Sequence, residues 1–338
     1  MARLSFVAAA LTAVLVTVML GYPFIPWLQK LKFGQPIKEI GPTWHKNKEG
    51  VPTMGGIMFI IGSLAGLCAG IAVLLFSTPE LASAEYMKEN ITIAIGVAAA
   101  LCFGAIGFTD DYIKVIKKRN TGLAAWQKLI MQFLVAALFL GALYMNNSIN
   151  TTVVLPFGIV WELEIYYYII SAIFIVGMVN GVNLTDGIDG LNTSVTFVTS
   201  VAFMLFAGIA GAYYTSIYAA AIAGGCAGFL AWNFYPAKVI MGDTGAMYLG
   251  GALVAIAFGM ERPELLIIAG AVYIIEAASV LIQRYYFKLT KGKRIFKMSP
   301  IHHHFEMSGW SEIKIVTVFS GVATMAGVLA FLYLAATL

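Results

Sequence analysis

Asn180-Gly-Val-Asn-Leu-Thr-Asp-Gly-Ile-Asp-Gly-Leu191 is a polar stretch between two long apolar runs, and this alternation of apolar run and polar connection decides the fold class. The stretch carries two carboxylates, Asp186 and Asp189, and amide side chains whose oxygens can bind a cation. Its glycines let the backbone approach a ligand closely. The same residue types are also typical of a plain turn that joins two helices. The stretch alone is compatible with either a binding site or a connecting turn.

The composition places the chain among membrane proteins. Of its 338 residues, 60% are apolar and only 11% are charged, which is far from the average of soluble domains. A membrane-spanning helix needs about 20 mostly apolar residues. We therefore expect an all-α integral membrane protein, with residues 1–338 forming a single polytopic membrane domain. The ten predicted helices, of which the fifth and eighth are the shortest, lie at 5–28, 54–76, 91–109, 129–145, 166–180, 191–210, 213–232, 245–260, 264–287 and 314–337.

The distribution of Lys and Arg predicts the orientation of these helices. Eighteen of the 21 basic residues lie in the loops after the odd-numbered helices or in the first residues of the next helix. Since loops on the cytoplasmic side carry an excess of Lys and Arg, these loops are predicted to be cytoplasmic and both termini to lie outside. The predicted cytoplasmic loops are 29–53, 110–128, 180–191, 233–245 and 288–313.

The aspartates and histidines were not used to set this orientation, yet all of them fall on the same predicted side. Solvated surface residues would scatter more evenly, as the twelve glutamates do. We therefore expect one polar site at the cytoplasmic face, assembled from loops that are distant in sequence. The residues are Asp110, Asp111, Asp186, Asp189, Asp243, His45, His302, His303 and His304.

The first two of these loops combine basic residues with hydroxyl or carboxylate groups. Lys48 and Thr53 precede a glycine-rich helix start, an arrangement that suits an anion. A basic loop that only sets topology and contacts lipid headgroups is the alternative. If helix three continues through the second loop, Asp110 and Asp111 project about 100° apart, which predicts different roles for them. A base or a metal partner is one possibility, and a charged helix end in water is the other.

The later loops add further polar candidates. The stretch at 180–191 contains no Lys or Arg, so topology does not explain it. Asp243 precedes predicted helix eight, where an aspartate caps the helix or binds a cation. In Pro300-Ile-His-His-His-Phe-Glu306 the histidines are too close to chelate as a helical i, i+4 pair, so we expect a segment that presents histidines to an anionic substrate. Glu276 shares a helical face with Ser279 and Gln283, and both a structural and a transport role are open for it.

Five motifs in order resemble one family over essentially the whole chain. The combination is similar to the bacterial phospho-N-acetylmuramoyl-pentapeptide transferase family, within the polyprenyl-phosphate N-acetylhexosamine-1-phosphate transferase superfamily. The three histidines point to the muramoyl-pentapeptide branch and not to relatives that transfer GlcNAc-1-phosphate. The motifs are Pro52-Thr-Met-Gly-Gly56, Asp110-Asp-Tyr112, Asn180 to Leu191, Asn233 to Gly245 and Pro300 to Glu306.

This resemblance implies a ten-helix enzyme of the bacterial cytoplasmic (inner) membrane, usually a homodimer, with its active site facing the cytoplasm. Such an enzyme transfers phospho-MurNAc-pentapeptide from its UDP carrier to undecaprenyl phosphate and releases lipid I and UMP. The resemblance also implies that Mg²⁺ is required. Membrane lipid surrounds the protein, and no nucleic acid partner is expected.

The resemblance further implies roles for individual residues. Asp110, Asp111, Asp243 and His302 match catalytic positions, and Asp243 with Asn183 matches the metal ligands. The positions that match phosphate or substrate binding are Lys48, Thr53, Lys114 and Lys128, and those that match the uridine pocket are Asn180, Gly187, Ile188, Asp189 and Asn233. Substrate contacts are also expected of Asp186, Ile240, His303 and His304.

Two positions depart from the family pattern. Ile240 stands where the family commonly has Phe, and an aliphatic side chain lacks the stacking on uracil, a difference of roughly 1 kcal/mol. Val51 stands where Thr is usual. Affinity for uracil is the property that the first departure affects.

Direct attack by the lipid phosphate is the expected route, with Asp110 accepting the last proton of the acceptor and Asp111 supporting the geometry of metal or lysines. A covalent phospho-aspartyl intermediate is the alternative route. The rival functions are a transferase that uses UDP-GlcNAc and, outside enzymes, a transporter or flippase, since carboxylates such as Glu276 also mark proton paths.

Overall fold

The computed structural model describes residues 2–31, 50–82, 84–117, 121–155 and 159–337, and these residues form a bundle of α-helices with one β-hairpin. The long apolar runs give long helices because a chain in lipid must satisfy its backbone hydrogen bonds internally. The helices are α1 (Ala2–Lys30), α2 (Gly56–Ser77), α3 (Ala84–Ile116), α4 (Ala125–Met145), α5 (Glu164–Thr185), α6 (Leu191–Ile209), α7 (Tyr213–Asn233), α8 (Gly242–Gly259), α9 (Glu264–Ala269), α10 (Ala271–Leu289), α11 (Ile301–Glu306) and α12 (Glu312–Thr337).

Eight of the helices in the described ranges, α1 to α7 and α12, are long and apolar enough to cross a membrane. This finding confirms the predicted class, a helical multi-pass membrane protein. Helix α8 occupies the eighth predicted run, while the ninth is divided at Gly270 into α9 and α10. The count of ten spans therefore stays a prediction.

Helix α8 lies in the core of the bundle, and every residue from Thr244 to Phe258 is buried. A helix that is apolar all round is expected in such a position. Its glycines bring neighbouring backbones close: Gly250 faces Val179 of α5, and Gly251 faces Ala100 of α3. Small residues permit this close packing between helices in membranes.

Helices α3 and α8 run antiparallel along their whole contact. Gly96 of α3 faces Ala255 of α8, and Gly107 faces the backbone of Asp243 at the start of α8. The C-terminal end of α3 and the N-terminal end of α8 therefore meet at one end of the bundle. This packing carries the side chains of the second and fourth loops to the same place.

The boundaries of the opening stretch, 180–191, were predicted wrongly, because α5 continues through Thr185. Gly181 faces the backbone of Tyr273 on α10, so α5 and α10 approach closely at this point, and Thr185 Oγ1 donates to the Gly181 carbonyl at 2.8 Å. Only Asp186 to Gly190, hereafter the glycine turn, connects the helices. Gly190 has a φ of +74°, in the left-handed region that glycine tolerates.

The β-hairpin was not predicted. Strand β1 (Thr152–Leu155) pairs antiparallel with β2 (Ile159–Glu162) in the connection between α4 and α5. Both strands contain β-branched residues, which favour extended backbone. The strands are only four residues long, which is why the pattern is weak beside the apolar runs around it.

Candidate active site

Three aspartates from two loops meet at the junction of α3 and α8. Asp110, Asp111 and Asp243, hereafter the acidic cluster, each offer one carboxylate oxygen, and these three oxygens lie within 4.8 Å of one another. Asp110 and Asp111 are buried on α3, and Asp243 lies in the first turn of α8. The expectation that distant loops assemble one polar site is met for the second and fourth loops.

Two lysines bridge the acidic cluster. Lys114 Nζ lies 2.6 Å from Asp110 Oδ2 and 3.0 Å from Asp243 Oδ2. Lys128 Nζ lies 2.8 Å from Asp243 Oδ2 and 3.4 Å from Asp110 Oδ1. Lys114 follows Asp110 by one helical turn, and Lys128 lies in the first turn of α4, so both reach the cluster from adjoining elements. With all three carboxylates ionised, two ammonium groups leave one net negative charge.

The adjacent aspartates have different partners, as their separation around the helix predicts. Asp111 accepts hydrogen bonds from the backbone N–H groups of Asp243 at 3.2 Å and Thr244 at 2.9 Å, and from the Thr244 hydroxyl at 2.7 Å. Asp110 Oδ1 accepts from the Leu123 N–H at 2.8 Å. Because the first amides of a helix lack partners within it, Asp111 caps α8 from outside. The capping role considered for Asp243 itself belongs to Asp111.

The Asp243 side chain, released from capping, faces the lysines. Asp243 lies outside the predicted membrane span 245–260, at the end of the bundle. Burial opposes its charge, but the charges of Lys128 and Lys114 outweigh burial and lower the pKa of Asp243 below its usual value. Both lysines therefore favour the ionised form of Asp243, and both also contact Asp110.

The Pro52 to Gly56 motif is tied to the fourth loop through backbone hydrogen bonds. The Ile240 N–H donates to the Pro52 carbonyl, and the Gly55 N–H donates to the Ile240 carbonyl, both at 2.9 Å. Thr53 is buried beside the acidic cluster, since a Cβ on Gly242 would lie 2.7 Å from Thr53 Oγ1 and 2.6 Å from Asp111 Oδ2. Lys48 lies outside the described residues.

The end of α5 reaches the same region through an amide pair. Asn180 Nδ2 donates to Gln132 Oε1 at 2.7 Å, and Gln132 Nε2 donates to Asn180 Oδ1 at 3.2 Å. Gln132 follows Lys128 by one turn of α4, and residues four apart on a helix are neighbours. Gln132 was not selected from the sequence, although a polar residue in an apolar helix is a signal. Asn183 lies half-buried in the last turn of α5.

The glycine turn is fastened to the fourth loop and to α12. Asp189 Oδ2 accepts from the Ala237 N–H at 2.9 Å, and the Asp189 N–H donates to Glu312 Oε2 at 3.0 Å. Asn233 accepts from the Thr193 hydroxyl at 2.7 Å and donates to the Val239 carbonyl at 3.0 Å. Asp189 and Asn233, whose place in a uridine pocket is a prediction from resemblance, thus hold the fourth loop to the glycine turn and to α6. Ile188 is buried, and Asp186 and Gly187 are half-buried.

The three histidines have different environments. His302 is fully buried, with Nδ1 3.1 Å from Glu276 Oε2. His303 and His304 are half-buried: His303 pairs with Glu306 at 2.9 Å, and His304 Nδ1 accepts from the Lys297 N–H at 3.1 Å. The expectation that this segment presents its histidines to an anionic substrate stays a prediction. The ring of His302 faces inward, toward the carboxylate of Glu276 on α10.

The polar face of α10 binds the fifth loop. Gln283 Oε1 accepts from the N–H groups of Ile295 and Phe296, both at 3.0 Å, and Gln283 Nε2 donates to the Phe296 carbonyl at 3.1 Å. Glu276 holds His302 two turns away on the same face. The structural reading of Glu276 is thereby favoured, with a loop histidine and not a neighbouring membrane helix as its partner.

Known proteins are similar to this chain along most of its length. The model of glycosyl transferase family 4 matches residues 93–261, which include the acidic cluster and the glycine turn. A phospho-N-acetylmuramoyl-pentapeptide-transferase of Clostridium novyi is 41% identical over 96% of each chain, and one of Heliobacterium modesticaldum is 42% identical over 96% of each. The enzyme of that name from Clostridioides difficile is 45% identical over 92% of each chain. Identity at this level along nearly the full length means that the chain belongs to the phospho-N-acetylmuramoyl-pentapeptide-transferase family.

Proposed function

We propose that the protein transfers phospho-MurNAc-pentapeptide from UDP-MurNAc-pentapeptide to undecaprenyl phosphate, giving lipid I and UMP in peptidoglycan synthesis. The observation that carries this proposal is the acidic cluster bridged by Lys114 and Lys128. Phosphoryl transfer needs cationic groups against a pyrophosphate and carboxylates that hold a metal, and this arrangement supplies both. The alternatives, a UDP-GlcNAc transferase and a transporter, find no support in the names of the relatives.

Magnesium is the proposed cofactor, and the residues present fit it. Carboxylate oxygens are the hard ligands that Mg²⁺ prefers, and the cluster retains a net negative charge beside its lysines. Asp243 is the proposed ligand, with Asn183 as a second. When bound, the ion would offset the negative charge of the pyrophosphate.

The lysines supply charge that can change partner. Lys114 contacts three carboxylates and Lys128 contacts two, so neither Nζ is locked into a single pair. Phosphate oxygens entering the site compete for the same ammonium groups. Part of the charge that holds the cluster together thereby becomes available to the substrate.

Direct attack is the proposed route. An oxygen of the lipid phosphate attacks the phosphorus attached to the sugar, and the bond to UMP breaks. Asp110 accepts the last proton of the acceptor, and Asp111 holds the start of α8 and thereby Asp243. Trapping labelled phosphate on the protein by rapid quench would overturn this route in favour of a phospho-aspartyl intermediate.

Recognition of the nucleotide is assigned to the glycine turn and the fourth loop. Gly187, Ile188 and Asp189 are proposed to cradle the uridine, with Asn233 and Ile240 on the facing loop. Asp186, Asn180, Thr53, Lys48 and the pair His303 and His304 are proposed further contacts of the substrate. The Asp189 to Ala237 hydrogen bond supports this grouping, since it joins the two segments.

The proposal also covers the location of the protein, which is the bacterial inner membrane. The chain crosses this membrane ten times in the proposal, with both termini outside and the site facing the cytoplasm. The excess of Lys and Arg in the five loops supports this orientation. A homodimer is proposed from the family resemblance.

The test uses purified protein in detergent with undecaprenyl phosphate, Mg²⁺ and either UDP-MurNAc-pentapeptide or UDP-GlcNAc. We expect UMP only with the muramoyl donor, and loss of its release when EDTA removes the metal. UMP from UDP-GlcNAc alone would identify the other transferase branch. If neither donor gave UMP, the proposal that the protein is an enzyme of this kind would be refuted.

A further inference from the structure

We propose that Glu276 is a positioning residue that keeps a proton on His302 Nδ1, so that Nε2 faces the glycine turn as the acceptor of a hydrogen bond from an N–H or O–H group of the nucleotide donor. This inference rests on the proposed function and deepens it. It gives a task to a buried carboxylate outside the acidic cluster.

The contact between the two side chains is buried and specific. His302 and Glu276 are both fully buried, and Nδ1 lies 3.1 Å from Oε2. Which ring nitrogen carries the proton is set by the hydrogen bond that the other makes, and a carboxylate beside Nδ1 holds the proton there. The orientation of the ring is fixed at the same time.

The other ring nitrogen is left for a ligand. Among the described residues, no group hydrogen-bonds to the buried Nε2. Buried polar atoms are nearly always paired, so an unpaired one next to a substrate turn points to a partner that arrives with the substrate. Nε2 abuts Gly187, where a Cβ would clash with it, so the turn must carry glycine for the ring to reach this position.

The chemistry of the pair selects a hydrogen-bond donor as the partner. In an imidazole that carries its proton on Nδ1, Nε2 is an acceptor. An N–H group of the base or a hydroxyl of the ribose in the nucleotide donor can donate to it. Without the carboxylate, a neutral imidazole is free to move its proton from Nδ1 to Nε2 and to rotate.

The same helix offers a matched control. Gln283 anchors the same loop to the same face of α10, two turns away, through three hydrogen bonds to Ile295 and Phe296. A variant at Gln283 loosens the loop and leaves the His302 contact in place. Loop attachment and ring positioning can therefore be separated.

The experiment compares Glu276→Leu, Glu276→Gln and Gln283→Leu. We expect kcat/KM for the UDP donor to fall about 100-fold in Glu276→Leu, chiefly through a higher KM, because a polar group of the bound donor loses its acceptor. The fall should be about 10-fold in Glu276→Gln, whose amide oxygen still accepts from Nδ1. Gln283→Leu should stay within about threefold of wild type. An equal loss of kcat/KM in Gln283→Leu would overturn the inference.

A second readout needs no substrate. In protein labelled with ¹⁵N-histidine, the His302 signals are identified by their loss in His302→Gln. We expect a protonated Nδ1 in wild type and Glu276→Gln, and a shift toward protonation at Nε2 in Glu276→Leu. Unchanged His302 signals in Glu276→Leu would refute the positioning role. If wild type released no UMP, the proposed function would fail while this signal still reported on Glu276.

Discussion

The acidic cluster and the His302–Glu276 pair lie on different helices, and they differ in how completely their buried polar atoms are paired. In the cluster, Lys114 and Lys128 bridge the carboxylates, and backbone amides satisfy Asp111. In the histidine pair, one hydrogen bond joins the partners, while His302 Nε2 and Glu276 Oε1 have no hydrogen-bond partner among the described residues. In the first region every carboxylate has a lysine or backbone partner before substrate arrives, whereas the second region keeps polar atoms without a partner among the described residues.

The difference shows what each scaffold contributes. The cluster lies where α3 and α8 pack through glycines with their backbones in contact, so the carboxylates are placed by rigid helices. His302 lies on the short helix α11, which the polar face of α10 holds through side chains. Changes in the cluster should therefore alter charge balance and stability together, whereas changes at the histidine pair should alter orientation alone.

The largest effect is expected from Asp243→Asn, which removes the proposed metal ligand, a carboxylate that contacts both lysines. UMP release should fall by at least about 100-fold, the scale for loss of one preorganised electrostatic group. Binding of Mn²⁺ as a probe for Mg²⁺, followed by its paramagnetic signal, should weaken in the same variant. Activity within a few-fold of wild type would remove Asp243 from the site.

Asp111→Asn tests whether the second aspartate acts through α8. The amide nitrogen of Asn cannot accept a backbone N–H, so one buried donor at the start of α8 loses its partner at a cost of about 1–3 kcal/mol. We expect a lower melting temperature in detergent and a loss of UMP release smaller than in Asp243→Asn. Thr244→Val, which removes only the hydroxyl bonded to Asp111, should show a weaker version of both effects. An unchanged melting temperature would contradict the capping role.

Gly107→Ala tests the rigid scaffold itself. The added methyl would clash with the backbone of Asp243, and overpacking of this kind costs about 1–3 kcal/mol. We expect a lower melting temperature and a loss of UMP release of roughly tenfold, since α8 must move away from α3. Gly141→Ala on α4 is the matched control, because no atom of the described residues lies within 4 Å of its added methyl, and the variant should behave as wild type. Equal behaviour of the two variants would show that the α3 and α8 contact is not needed.

Most of the fold could be predicted because long apolar runs in lipid have few alternatives to helices. The limits of α5 were missed, since the Asn and Gly residues at 180–185 resemble a turn while tertiary packing of Gly181 on Tyr273 keeps them helical. The break at Gly270 was also missed, because an apolar run shows no sign of a division.

The members of the acidic cluster were predicted as candidates, but their division of labour was not. Sequence spacing shows that Asp110 and Asp111 point apart, whereas only the packing of α8 on α3 shows that Asp111 caps α8. The same limit applies to Glu276. Its helical face with Ser279 and Gln283 was visible, and its partner His302 was 26 residues away in a loop.

Ile240→Phe should give the smallest change. It separates the backbone of Ile240, which holds the fourth loop in place, from its side chain, which is proposed to cover the base. The backbone of Ile240 is fixed by hydrogen bonds to Pro52 and Gly55, so a larger side chain can be introduced without moving the loop. Stacking on uracil worth about 1 kcal/mol should lower the KM for the UDP donor about fivefold and leave kcat unchanged. Ile240→Leu supplies an aliphatic side chain without a ring and should keep the KM of wild type. If Phe and Leu gave the same KM, the side chain at 240 would not cover the base, and recognition would depend on the glycine turn alone.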